Sequence, residues 1–168
     1  AGECDPGVLG RSWSLIGSHD TPRLATLFAP LPDARAAIDA AQLLQFAYPG
    51  VPMVYYGDEV GQRGGADPDN RHPLPPQPAW VPERLGHTRR LCRLRREHPV
   101  FRRGRFLAGR EQAGSGLPDV WWFRPDGRRM TQRDWEQQPH VLGVFLNGQE
   151  IADRTERGEI IEDDSFLL

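Results

Sequence analysis

The chain has 168 residues, 38% hydrophobic and 26% charged, with a formal net charge of −2. That is a globular composition, of a length that fits one or two small domains. Near-neutrality argues against a nucleic-acid or anionic-membrane surface, and no apolar run approaches the ~18 residues of a membrane span.

Residues 1–12 carry Gly, Pro and charges without a period and read as loop. Trp13, Leu15 and Ile16 then form a short apolar run, which predicts a buried strand. The run stops abruptly at Ser18-His19-Asp20-Thr21-Pro22-Arg23. Thr21 precedes a proline and is biased toward extended geometry, so no helix starts there directly. An imidazole beside a carboxylate where a strand gives way to a loop suits an α/β enzyme, because ligands gather at the carboxyl ends of such strands. The dipeptide alone fits a capping Asp beside a surface His equally well.

Leu24 to Pro32 is apolar and punctuated by Pro30 and Pro32. Asp33 stands where an N-cap belongs. Ala34, Ala37, Ile38, Ala41, Leu44 and Ala47 share one helical face that Leu43 and Phe46 widen, predicting a helix over 34–47. Tyr48-Pro49-Gly50 ends it. Val51 to Tyr56 is continuously apolar rather than alternating, the pattern of a strand buried on both faces, and it too runs into a polar cluster, Gly57-Asp58-Glu59. Strand, helix and strand in this order predict parallel strands with a crossover helix, a piece of a doubly wound sheet or of a (β/α) barrel.

Residues 61–78 are rich in Gly, Pro, Asp and Asn and read as a long loop, a kind more often functional than idle. Asp67, Asp69, Asn70 and Arg71 are its groups able to hydrogen-bond a ligand. Leu85, Thr88, Leu91 or Cys92, and Arg95 give helical spacing over 83–98, closed by His98-Pro99. The arginines Arg89, Arg90, Arg93, Arg95 and Arg96 read as a solvated face, since neither interleaved aromatics nor a basic balance supports nucleic acid. Beyond Pro99, apolar runs alternate with turn signals: 119–123 before Pro125-Asp126-Gly127, 141–146 before Asn147-Gly148, and Phe166 onward. This predicts an antiparallel β domain over 99–168 without a helix, following an α/β part over 1–98. Trp121 and Trp122 should face opposite ways along their strand, at least one of them into the core.

All 21 basic residues are arginine, which with the abundant Pro, Gly and Ala reads as coding bias rather than mechanism. Cys4 and Cys92 are isolated thiols without metal-ligand spacing. No metal, cofactor or disulfide framework is expected, and a cytoplasmic setting is the default. The chain opens on Ala1 and closes on the apolar Phe166-Leu167-Leu168, as a strand still running would, and reads as a C-terminal fragment of something longer.

Two stretches carry a family likeness. Ile16-Gly17-Ser18-His19-Asp20 with Gly50-Val51-Pro52-Met53-Val54-Tyr55-Tyr56-Gly57-Asp58-Glu59-Val60-Gly61 resembles the α-amylase family of glycoside hydrolases. The continuation Gly64-Gly65-Ala66-Asp67-Pro68-Asp69-Asn70-Arg71 is similar to its neopullulanase and cyclomaltodextrinase branch. Residues 94–103, 120–127 and 143–148 look instead like the isoamylase-type glycogen debranching enzymes. The preference for α-1,4 or α-1,6 bonds therefore stays open.

The resemblance implies the last two β/α units of a (β/α)8 barrel, with strands in 13–20 and 51–57, followed by a small antiparallel β domain. It implies an α-glucan such as glycogen, starch or maltodextrin as substrate. It makes Asp20 the carboxylate that stabilises the transition state and His19 its neighbouring hydroxyl donor, while the Tyr55-to-Glu59 run is mostly architectural. The hydrogen bonds that such a carboxylate accepts from ring hydroxyls strengthen as positive charge builds on the sugar. Asp67 and Arg71 are candidates to pair and line the sugar pocket, or form a plain loop ion pair, and Arg23 is a candidate contact just beyond Asp20. The nucleophile and acid/base of a retaining glycosidase belong to earlier strands of the family fold, so the missing N-terminal portion of the barrel is the expected partner and the chain alone is expected to be inactive. The alternatives are a non-catalytic polysaccharide-binding module and an inactive remnant of a truncated gene.

Overall fold

The computed structural model describes residues 8, 11–111, 115–137, 141–151 and 153–168. Cys4 and most of the expected N-terminal loop lie outside the described residues. Among the described residues the chain forms two compact units, one over Arg11–Glu97 and one over His98–Leu168.

The first unit holds β1 (Trp13–Leu15), α1 (Leu24–Leu27), α2 (Ala34–Ala47), β2 (Val51–Met53) and α3 (Pro82–Glu97). β1 and β2 pair in parallel, Trp13 opposite Val51 and Leu15 opposite Met53, with α2 in the connection between them. The Asp33 carboxylate accepts the Ala36 N–H at 2.9 Å and starts α2, a contribution of about 1 kcal/mol. The helix ends at Ala47 because Tyr48, ahead of Pro49, turns to extended backbone at ψ 147°.

The inner face of α2 is less apolar than its spacing suggests. Ile38, Phe46 and Ala47 are buried, and so are Gln42 and Gln45. The Gln45 amide donates to Ser14 O at 2.8 Å and Met53 O at 2.9 Å, tying the helix to both strands. α3 packs on α2 through Leu91, while Cys92 is exposed. Arg84 is buried against Asp39 and reaches Gln42 Oε1 at 3.3 Å. Arg95, expected on the solvated face, donates to Phe46 O at 2.7 Å and to Gly50 O. It thus satisfies a carbonyl that the last turn of α2 leaves unpaired and ties the helix end to the turn that follows.

Both strands are shorter and more exposed than their apolar runs predict. Trp13 is 71% exposed, and Leu15 and Val51 are about half exposed. The sheet has two strands, so each keeps an unpaired edge and neither face is fully roofed.

The second unit holds β3 (Val120–Phe123), α4 (Gln132–Glu136), β4 (Gly143–Leu146) and β5 (Phe166–Leu167). The strands form an antiparallel sheet in the order β3-β4-β5, with Val120 opposite Leu146 and Leu146 opposite Phe166. Its core gathers Val100, Phe101, Val120, Leu146 and Ile151. Trp121 packs on Phe145 at 5.8 Å between ring centres, and Trp122 meets Trp135 at 5.4 Å.

Two expectations fail in this unit. A helix does intervene: Asp134 accepts both the N–H and the hydroxyl of Thr131, at 2.8 and 2.7 Å, and so starts α4. Asn147-Gly148 is no hairpin tip either. The buried Asn147 side chain accepts the Gln149 N–H at 3.1 Å and opens a single helical turn, and the partner of β4 arrives only at Phe166. Pro125-Asp126-Gly127 does reverse the chain, with the Gly127 N–H on Arg124 O at 2.9 Å. Among the described residues no helix is long and apolar enough to cross a membrane.

Candidate functional site

His19 and Asp20 sit on the turn that follows β1, and the loop after β2 comes back to meet them. The His19 ring places Nε2 3.3 Å from Asp20 Oδ1. Arg71 brings Nη2 to 3.7 Å from the same oxygen. Arg71 also donates through Nε to Asp67 Oδ1 at 2.7 Å. All four side chains are exposed, Asp20 at 71%. An open depression of about 410 Å³, lined by Pro68, Asp69, Arg71, His72 and Pro73, adjoins Arg71. Carboxylates alternate here with nitrogen donors on one surface, an arrangement able to grip neighbouring hydroxyl groups of a polyhydroxylated ligand.

Arg23 lies beneath this rim rather than in it. It is 1% exposed, and a direct ligand contact requires an accessible donor that it does not offer. Its Nε donates to Asn70 O at 2.7 Å and its Nη1 to Tyr56 O. The guanidinium lies over the Tyr55 and Tyr56 rings, 4.1 and 4.5 Å from their centres. Asn70, read from sequence as a ligand-binding group of the loop, is also buried, at 0% exposure. Its amide donates to the backbone carbonyls of His19 and Thr21 at 2.7 and 2.9 Å.

Asp58 completes the floor, with Oδ1 3.9 Å from Arg23 Nη1. Burial pushes its carboxyl up to about 6, against the opposing pull of Arg23 and of the Leu24 N–H. It approaches the β1 turn closely because residue 17 is glycine: a Cβ there would stand 2.5 Å from Asp58 Oδ2. Gly64 plays the same part above Arg23, where a Cβ would meet Asp69 O at 2.7 Å and Asn70 Cα at 2.9 Å. The loop is pinned further by Tyr56 Oη on His72 O at 2.9 Å and by Gln62 Nε2 on His72 O at 3.0 Å.

The structure thus brings together His19, Asp20, Asp67 and Arg71 and sets Arg23 below them. Sequence reasoning gave Arg23 and Asn70 outward roles that the structure turns inward, and Gly17 and Gly64 are the positions where this floor packs too closely for a side chain. In the second unit, His98, Asp163 and Asp164 hold potential metal-ligand atoms within 4.8 Å of one another. Burial works against the charge on Asp163, but hydrogen bonds from His98 and from the Val100 and Asp164 N–H groups hold its carboxyl below the usual range.

A model of the α-amylase catalytic domain matches residues 7–104. The glycogen operon protein GlgX homolog of Mycobacterium bovis is 36% identical over 171 residues, covering 94% of this chain and 23% of that protein. The cyclomaltodextrinase of Geobacillus thermopakistaniensis is 37% identical over 108 residues, covering 60% of this chain and 17% of that enzyme. Among solved structures, an acarbose-soaked debranching enzyme of Nostoc punctiforme superposes with a TM-score of 0.51 at 25% identity, over 82% of this chain and 24% of that one. The chain therefore spans between about a sixth and a quarter of the length of these relatives.

Proposed function

Because this chain belongs to the α-amylase family, we propose that it is the part of a retaining α-glucan hydrolase that supplies the transition-state-stabilising carboxylate, Asp20, from the last two β/α units of a (β/α)8 barrel. The observation that carries this is the Asp20–Arg71–Asp67 chain, which joins the β1 turn to the loop after β2 on one accessible surface. Both elements belong to the region matched by the family model, and parallel pairing of β1 and β2 sends both tips the same way. His19 and Asp20 then grip ring hydroxyls, and Arg71, steadied by Asp67, extends the grip along the glucan. Charge developing on the sugar strengthens the Asp20 hydrogen bonds, so its effect falls on the transition state. The nucleophile and the acid/base come from earlier barrel strands, the partner that also covers the exposed faces of β1 and β2. The names of the relatives, among them a glycogen operon protein and a cyclomaltodextrinase, support glycogen or maltodextrin as substrate.

The test is a chimera in which this chain replaces the matching segment of the Geobacillus cyclomaltodextrinase. Asp20→Asn is expected to lower kcat on maltodextrin at least ~100-fold with a far smaller change in KM. A loss of less than tenfold would sink the assignment. A second reading, polysaccharide binding without chemistry, draws on a groove of about 560 Å³ in the second unit lined by Trp121, Phe123 and Phe145 among others. It predicts that the whole chain is retained on amylopectin whether or not Asp20 is changed.

A further inference from the structure

We infer that Asn70 is a positioning residue for Asp20, holding the turn that carries the carboxylate by gripping the peptide carbonyls on either side of it. One planar amide donates both of its hydrogens, to His19 O at 2.7 Å and to Thr21 O at 2.9 Å. Those carbonyls belong to the residues before and after Asp20, so the His19–Asp20 and Thr21–Pro22 peptide planes that bound it are held while its side chain faces outward. The reverse tie comes from the turn: Arg23 Nε donates to Asn70 O at 2.7 Å, and the Arg23 N–H donates to Gly64 O at 3.0 Å. Gly64 N–H closes the circuit on Thr26 Oγ1 at 2.9 Å.

The residue type matches the task. Asn70 is fully buried, and among the described residues its side-chain oxygen has no partner. An unpaired buried acceptor is costly, so the position is explained by the two donors and not by the acceptor. Asp is isosteric but has no hydrogens to give; Gln is a methylene longer; Ala and Leu donate nothing. The next residue, Arg71, points outward to Asp20. Adjacent residues of one short turn thus divide the work, one setting the backbone of the catalytic turn and the other pairing with its charge.

The importance of Asn70 rests on the reading of Asp20 above, but its test uses no sugar and so can fail on its own. Amide hydrogen exchange and the Asp20 carboxyl 13C resonance are followed by NMR in the whole 168-residue chain, in Asn70→Ala and Asn70→Asp. The Arg23 amide, bonded to Gly64 O, is expected to exchange at least about tenfold faster in both, equivalent to about 1.4 kcal/mol, while amides within α2 change less than about threefold. The Asp20 resonance shifts in Asn70→Ala, although residue 70 does not touch that carboxyl. It stays in place in Ile38→Val, which weakens the buried face of α2 without reaching the turn. An unchanged Arg23 exchange rate, an equal acceleration throughout α2, or an Asp20 resonance that also moves in Ile38→Val would each overturn the assignment.

Discussion

The rim of the site and the floor beneath it are built from the same two stretches of chain, yet they obey opposite rules. On the rim, Asp20, Asp67 and Arg71 pair in water, where screening and side-chain entropy leave little net stabilisation. On the floor, Arg23, Asn70 and Asp58 are sealed from solvent, where an unmet charge or amide is costly. Asp20 and Arg23 share one turn and still fall on opposite sides of this division. The rim is left free to respond to a ligand, and the floor fixes where the rim stands. An ion pair found by proximity therefore says little about stability until its burial is known.

The contrast can be broken most directly at Arg23. Arg23→Met takes away the buried guanidinium and leaves Asp58 without its counter-charge. A loss of about 3 kcal/mol in unfolding free energy is expected at pH 7, read by urea denaturation; a loss below about 1 kcal/mol would show that the floor holds little. Asp58 sharpens the contrast through pH. Its folded-state value of about 6 lies above the usual 3.8, so the folded chain binds the proton more tightly. The resulting stabilisation is complete below about pH 4 and disappears as pH rises through about 6. Stability should fall across that window by up to about 3 kcal/mol, and Asp58→Asn should remove this fall; parallel profiles of the two proteins from pH 4 to 7 would contradict it. The smallest effect belongs to the rim. Arg71→Ala, at a side chain 45% exposed, should change stability by less than about 1 kcal/mol in the same denaturation series.

What the sequence disclosed follows the same division. The 34–47 helix, its Asp33 cap and its stop before Pro49 were legible because local chemistry decides them. The parallel pairing of the two strands followed from a crossover helix between apolar runs. The meeting of His19 and Asp20 with Asp67 and Arg71 was legible only through the family likeness, since nothing in the spacing brings them together. Of the floor, the family likeness disclosed only the architectural role of the Tyr55-to-Glu59 run, and the inward turn of Arg23 and Asn70 was not legible. Asn70 and Arg71 are adjacent polar residues on a polar loop, and only the tertiary fold turns one inward and the other outward. Strand burial was overestimated, because an apolar run reports what a strand is suited to touch, not what this two-stranded sheet covers. The short helix after Thr131 carries its start signal in Thr131-x-x-Asp134, which the surrounding turn residues mask.

The Gln45 amide has a consequence for how the two strand tips are matched. Sliding β1 along β2 by one residue would move a carbonyl by about 3.3 Å, out of reach of a donor already committed to Ser14 and Met53. A single glutamine on the crossover helix thus acts as a registration pin: it allows one alignment of the strands and, with it, one height at which the histidine–aspartate turn meets the loop opposite.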